Sequence, residues 1–280
     1  VGDSTDAGTH ADAMFDPIAD AHEADGGDPL PCSQDLVCPP PAAGKFQICG
    51  RIYDLETSAN VVDAPASALE VRFYDAIVLS MGGNKPALLT VHPDSCGRFT
   101  AGTGLTPPQL GYIAVAVDDA GQDVGTGSHV VTARLVASAP NATAEHVRAY
   151  SARETTDATW SGTMSPSLAT QGAFVGIYVD TNRPAVAPYD GTPVTGVQVT
   201  FDGASAPAND LYFSDLTPTA RSVVGNGSAT GSNGSGIRTL LMLGTSFGGI
   251  GPAGCTWLEA PAFTIPGAIV VTEFESACSP

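Results

Sequence analysis

The chain has 280 residues, only 14% of them charged, with 32 Gly and 22 Pro; Gly costs a helix interior about 1 kcal/mol and Pro about 3, so long helices are disfavoured and short strands joined by turns are expected. Eleven Lys and Arg face 29 Asp and Glu, a net charge of −18, which repels phosphate backbones and anionic headgroups and argues against nucleic acid as a partner. No apolar run approaches the ~18–20 residues that a membrane-crossing helix needs.

In chain order, residues 1–44 come first, with nine carboxylates (Asp3, Asp6, Asp12, Asp16, Asp20, Glu23, Asp25, Asp28, Asp35) and no Lys or Arg. So few apolar groups cannot offset the entropy of ordering, and this segment is expected to be an acidic leader, disordered or extended, acting as a tether. Pro39-Pro40-Pro41 closes it as a stiff joint. The first residue is Val rather than Met, so a signal peptide is expected to have been removed.

From Phe46 the texture becomes short alternating apolar runs. Gln47–Tyr53, Leu69–Tyr74, Ala87–Val91, Arg98–Ala101, Tyr112–Val117 and Val130–Val136 read as strands, and Val147–Ser151 fits strand or short helix. After polar Glu154–Thr159 a second series follows: Phe174–Val179, Val194–Phe201, Leu211–Phe213, Ile237–Leu243 and Ala268–Phe274. Gly225–Gly236 reads as a loop. Each series sets a strand ending in Asp (Asp54, Asp180) before a Val-x-Phe strand (Val71–Phe73, Val199–Phe201). The fold class is therefore all-β, with two tandem Ig-like or transthyretin-like β-sandwich domains: leader 1–44, first domain 45–153, second domain 154–280.

Six cysteines, Cys32, Cys38, Cys49, Cys96, Cys255 and Cys278, form no CxxC or Cys/His cluster, which argues for disulfides in an oxidising compartment over zinc. Sequence neighbourhood suggests Cys32–Cys38, Cys49–Cys96 and Cys255–Cys278, one of the fifteen pairings that six cysteines allow.

The run Gly50-Arg51-Ile52-Tyr53-Asp54, Thr57, Leu69-x-Val71-x-Phe73, Gly97-Arg98-Phe99, Leu105, Pro107-Pro108 and Tyr112-Ile113-Ala114-Val115 resembles the carboxypeptidase-regulatory-like, or transthyretin-like, β-sandwich over about residues 46–118. Cys49, Cys96 and an insert at Val78–Pro86 depart from that pattern. With its Asp/Ala-rich leader, the whole chain also resembles secreted lipoproteins of myxobacteria and their relatives. That resemblance implies a lipidated cysteine ahead of Val1, a place at the outer membrane or outside the cell, and no activity.

Chemical motifs are sparse. Gly244-Thr245-Ser246-Phe247-Gly248 matches a nucleophile elbow, but Gly249, Gly251, Pro252 and Gly254 forbid the helix that must follow, and all five His precede Ser246. Gly249-x-Gly251-x-x-Gly254 matches a dinucleotide fingerprint without its strand–helix frame. Asp118, Asp119 and Asp123 beside Gly121 offer hard oxygens suited to calcium, against a solvated turn as the plainer reading. Trp160, Trp257, Tyr178, Tyr189 and Tyr212 are the rings that would stack on a sugar. The reading that results is a non-enzymatic extracytoplasmic structural or assembly protein, meeting protein partners or its own copies through sheet edges and leader. A carbohydrate- or peptide-binding module and a secreted hydrolase are the alternatives.

Overall fold

The computed structural model describes residues 30–61, 68–81, 86–122, 127–163, 167–202, 204–205, 211–213, 217, 219–222, 224–226, 235–238, 245–252 and 254–278. Cys32–Pro280 form one compact unit, and of the preceding unit, Val1–Pro31, only Leu30 and Pro31 are described.

The structure is mostly β, as expected. Its first strands are β1 (Gln47–Asp54), β2 (Leu69–Asp75), β3 (Leu89–Val91), β4 (Arg98–Thr100), β5 (Tyr112–Asp119), β6 (His129–Ala137) and β7 (Thr143–Arg153). They pair as β3-β2-β5-β6 and as β4-β1-β7, with β1 and β7 parallel. Strand alternation aims Ile48, Val71, Phe73, Phe99, Ile113 and Val115 into one core between these layers. Short helix α1 (Ala76–Ser80) follows β2, capped by the Asp75 carboxylate, which accepts from the Ile77 N–H at 3.0 Å.

A bulge sets the direction of β7. Its register with β1 slips between Ile48↔Ala144 and Gly50↔Val147, so Glu145 and His146 together face Cys49. The extra residue flips the parity of everything after it. Val147 and Ala149 enter the core, while Arg148 and Tyr150 turn to the opposite side. Gly50 permits the close approach, because a Cβ there would lie 2.0 Å from the Val147 carbonyl oxygen.

The second half contains α2 (Glu154–Ser161), α3 (Leu168–Gln171), β8 (Ala173–Asp180), β9 (Thr192–Pro193), β10 (Gln198–Phe201), β11 (Ala204–Ser205), β12 (Leu211–Phe213), β13 (Val224–Asn226), β14 (Ser235–Arg238), β15 (Thr245–Ile250), β16 (Thr256–Ala262) and β17 (Ala268–Ser276). The expected junction at Arg153/Glu154 does not interrupt the sheet. β17 lies between β6 and β8, parallel to both, so pairing runs from β13 through to β3. A separate sheet, β11-β10-β15-β16, contributes Val199, Phe247 and Trp257 to a core shared with Ala114, Ala116, Val131, Phe174 and Val270. On the other side, Val175, Ile177 and Ile269 meet Tyr150, Trp160 and Leu168. β8 is thus buried along its whole length.

The glycine-rich spacing Gly249–Gly254 begins inside strand β15. Its glycines answer to neighbouring rings: a Cβ on Gly249 would sit 2.5 Å from Tyr178 Cε1, and one on Gly251 would sit 2.7 Å from Trp257 Cζ3. The dinucleotide-like spacing is therefore relief for aromatic packing. Tyr178 stacks on Phe274 at 5.1 Å and meets Trp257 edge-on at 5.2 Å.

All six cysteines are paired, and two of the three pairs differ from expectation. Cys32 joins Cys96, Cys38 joins Cys49, and Cys255 joins Cys278. The reason is spatial: residues 32–45 do not stand off as tether but lie along β1 and β4. Arg51 donates to the carbonyls of Cys32 (2.8 Å) and Gln34 (2.6 Å), and Arg98 donates to Gln34 at 3.1 Å. We expect non-reducing peptide mapping to recover Cys32 linked to Cys96. The C32S/C96S variant should lose about 2–5 kcal/mol of unfolding free energy, since the bridge closes a long loop in the denatured chain; a loss near zero in urea titration would show that the strap is held without it.

Candidate binding groove

Two of the three carboxylates expected to suit calcium, Asp118 and Asp119, have protein side chains as partners. Adjacent strand residues point to opposite faces, so Asp118 and Asp119 separate. Asp118 accepts from Arg72 Nη1 at 3.0 Å, and the same guanidinium reaches Glu70 (2.9 Å) and the carbonyls of Asp119 (3.1 Å) and Gln122 (2.7 Å). Arg72 gathers the oxygens that a cation would need. Asp119 accepts from the His129 N–H at 2.8 Å and Ser128 Oγ at 3.1 Å, and pairs with His129 Nδ1 at 2.7 Å. Burial opposes its ionisation, but the His129 hydrogen bonds outweigh that and hold the carboxyl below its ordinary range. Asp123 lies outside the described residues.

The other chemical candidates resolve as structure. Ser246 sits within β15, which continues as strand to Ile250 where an elbow would turn; its N–H and Oγ both donate to Asp202 Oδ1, at 2.9 and 3.2 Å. Trp160, Trp257, Tyr178, Tyr189 and Tyr212 are at most 4% exposed and present no face to a sugar. Asp180, Cys255 and Cys278 bring ligand-type atoms within 4.8 Å of one another. Their sulfurs are joined as a disulfide, and Asp180 accepts from the N–H groups of Asn182 and Cys278.

A polar site does exist where β6 and β7 part. The pair is laddered only at His129↔Arg153 and Val130↔Ala152, after which β17 takes over the edge of β6. Into the wedge project Arg134 from β6, Arg148 and Tyr150 from β7, and Glu273 and Glu275 from β17. Glu273, whose side chain is fully buried, accepts from Arg148 Nε at 2.7 Å, pairs with Arg134 Nη1 at 3.1 Å, and accepts a short hydrogen bond from the Tyr150 hydroxyl. Arg134 Nη1 also donates to the Arg148 carbonyl at 3.1 Å, replacing a ladder bond that the parting strands no longer make. Arg148 further reaches Glu275 at 2.6 Å, Asp190 at 3.1 Å and the Pro188 carbonyl at 3.3 Å.

These charges alter one another's protonation. Burial works against the Arg148 cation, but Glu273 more than compensates and raises its pKa. Burial pushes the Tyr150 hydroxyl well up, and the negative charge of Glu273 adds to it. Tyr53, beside them, is likewise raised by burial.

The wedge opens into a groove of three adjoining cavities. One of about 400 Å³ runs between Leu135–Ala137 and Ala144–Arg148, one of about 250 Å³ lies among Asp35, Arg51, Tyr53, His146, Arg148 and Asp190, and one of about 640 Å³ reaches Ser58, Asn60 and Tyr189. Its far floor rests on Arg221, fully buried, which donates to the Leu55 carbonyl (2.9 Å), Ser58 Oγ (2.8 Å) and the Tyr189 hydroxyl. Sequence reading missed this site because Arg148 and Glu273 stand 125 positions apart. One signal was available: nine of the eleven basic residues are Arg, the side chain suited to buried, multiply bonded ion pairs.

No protein-family model matches this chain, and no curated protein does. Among solved structures, the shaft pilin SpaA from Lactobacillus rhamnosus GG aligns over 85% of this chain and all of its own, at 9% identity and a TM-score of 0.21. A candidate adhesin from Bacteroides ovatus aligns over 78% of this chain and 77% of its own, at 11% identity and a TM-score of 0.25. At this level of similarity neither protein's role carries over.

Two measurements check the electrostatics. R148M should cost about 3–5 kcal/mol, because it leaves the buried Glu273 carboxylate with Arg134 as its one cationic partner, whereas R183M, at an arginine that is 59% exposed, should cost under about 1 kcal/mol. Equal losses would mean that the Glu273 pairing does not hold the wedge. For Asp119, a depressed folded pKa means stabilisation that is complete above the ordinary carboxylate range near pH 4 and lost as pH falls through the lower folded value. D119N should therefore be less stable than wild type at pH 7, with the gap closing below about pH 4; a gap independent of pH would assign the loss to packing.

Proposed function

We propose that this chain is a non-enzymatic extracytoplasmic structural or assembly protein, a surface-exposed subunit of an envelope or extracellular complex. The observation that carries the reading is the placement of its disulfides. Cys32 begins the compact unit and is bonded to Cys96, while Cys278 follows β17 and is bonded to Cys255. Such bonds persist in oxidising compartments, and they brace both ends of the β unit. The acidic leader acts in this reading as a spacer ahead of Cys32, with a lipid anchor preceding Val1 and the outer membrane or cell exterior as its location. The first seven strands are consistent with a carboxypeptidase-regulatory-like sandwich, since β1, β2, β4 and β5 fall on the segments that carry that resemblance.

Native particle mass is the test, by light scattering and negative-stain imaging of protein taken from its source. Large particles or filaments are expected. A monodisperse monomer near 28.3 kDa would remove the assembly reading.

A further inference from the structure

The geometry points to the groove beside β6 as the docking site of a basic, extended peptide segment of a partner protein. The inference rests on the surface-assembly reading and adds the chemistry of the partner. Its first support is an open strand edge. The Ser138 N–H donates to the Gly111 carbonyl at 2.7 Å, so alternation turns Val136 toward β5 and aims the N–H and C=O groups of Leu135 and Ala137 away from it. β17 covers that outer edge through Arg134, and its pairing there also takes the Leu135 N–H onto the Val271 carbonyl, while β7 covers only His129 and Val130. The Leu135 carbonyl and the N–H and C=O of Ala137 therefore have no ladder partner among the described residues, and the space there is the 400 Å³ cavity. An unpaired edge lining a cavity is a template for strand addition.

The second support is charge. The guanidinium groups of Arg51 and Arg148 are buried, with side chains 6% and 8% exposed, whereas the carboxylates Asp35, Glu145, Asp190 and Glu275 stand 40–75% exposed along the rim. With Glu273 they make five carboxylates against Arg51, Arg134, Arg148 and Arg221, so the groove is net negative. The whole chain, at −18, adds a field that draws cations and repels acidic segments. A strand on this edge sets alternate side chains toward the rim, where Lys or Arg meets Asp190 and Glu275.

Three short labelled peptides test this by fluorescence anisotropy at low salt: one alternating Lys with Val and Thr, its Glu-for-Lys counterpart, and the Lys sequence N-methylated at alternate residues to remove the edge-pairing donors. The Lys peptide should bind, and the other two should bind about tenfold or more weakly. D190N/E275Q, which keeps an acceptor oxygen for Arg148 at both positions, should weaken the Lys peptide about fivefold while the protein still unfolds cooperatively, and E154Q, at an exposed position of α2, should not weaken it. Equal binding of the N-methylated or Glu peptide, indifference to D190N/E275Q, or no binding of the Lys peptide overturns the inference, as does displacement of that peptide by micromolar Ca²⁺. Failure to bind by a protein that forms large particles sinks this inference alone. Binding by a strict monomer sinks only the assembly reading.

Discussion

The fold depends on how one strand edge is divided. β6 gives the first two residues of its outer edge to β7 and the next four to β17, and the two strands diverge on leaving it. A wedge between diverging strands has backbone groups that no ladder satisfies, and buried polar groups without partners cost several kcal/mol. Here the wedge is closed by side chains. Arg134 bonds the Arg148 carbonyl, and Arg148, Arg134 and Tyr150 converge on Glu273. The bulge at Glu145–His146 makes this closure available by turning Arg148 and Tyr150 out of the sandwich core. Without that one-residue slip, the same strand would place a guanidinium among Val71 and Phe73.

The same device recurs elsewhere in the unit. Arg72 gathers the end of β5 and the loop after it, Arg98 and Arg51 clasp the strap at Cys32–Asp35, and Arg221 ties the Leu55–Ser58 turn to Tyr189. Five arginines buried among the described residues of a strongly acidic chain act as internal counter-charges. Each planar fork satisfies several oxygens from segments distant in sequence, which Lys does less well. In this architecture guanidinium groups hold irregular loops to strands, while the regular cores are held by Val, Ile and aromatic packing. The exposed charges left over are mostly carboxylates, and this is why the groove beside β6 is acidic although arginines line it.

Most strands of the first half were legible because they alternate with period two around a single core; Leu69–Tyr74 and Tyr112–Val117 fall within β2 and β5. β15 was hidden, because Gly248, Gly249 and Gly251 read locally as loop, and the rings that require Gly249 and Gly251, on Tyr178 and Trp257, lie on other strands. The surroundings of Asp118 and Asp119 were hidden for a related cause. Three nearby carboxylates look alike whether a metal or an arginine gathers them, and Arg72 is 46 positions from Asp118.

By itself the sequence determined the all-β class, the strongly acidic composition of residues 1–44, and a chain whose cysteines belong in bridges, since composition, period and charge are local properties. The tertiary structure decided which cysteines meet, that one sheet runs through the expected junction at Arg153/Glu154, and that a groove opens beside Leu135–Ala137. Those features come from strand order and register. β17 inserts beside β6 across more than a hundred residues of chain, and nothing in a local pattern states which distant edge a strand will choose when several apolar strands compete for it.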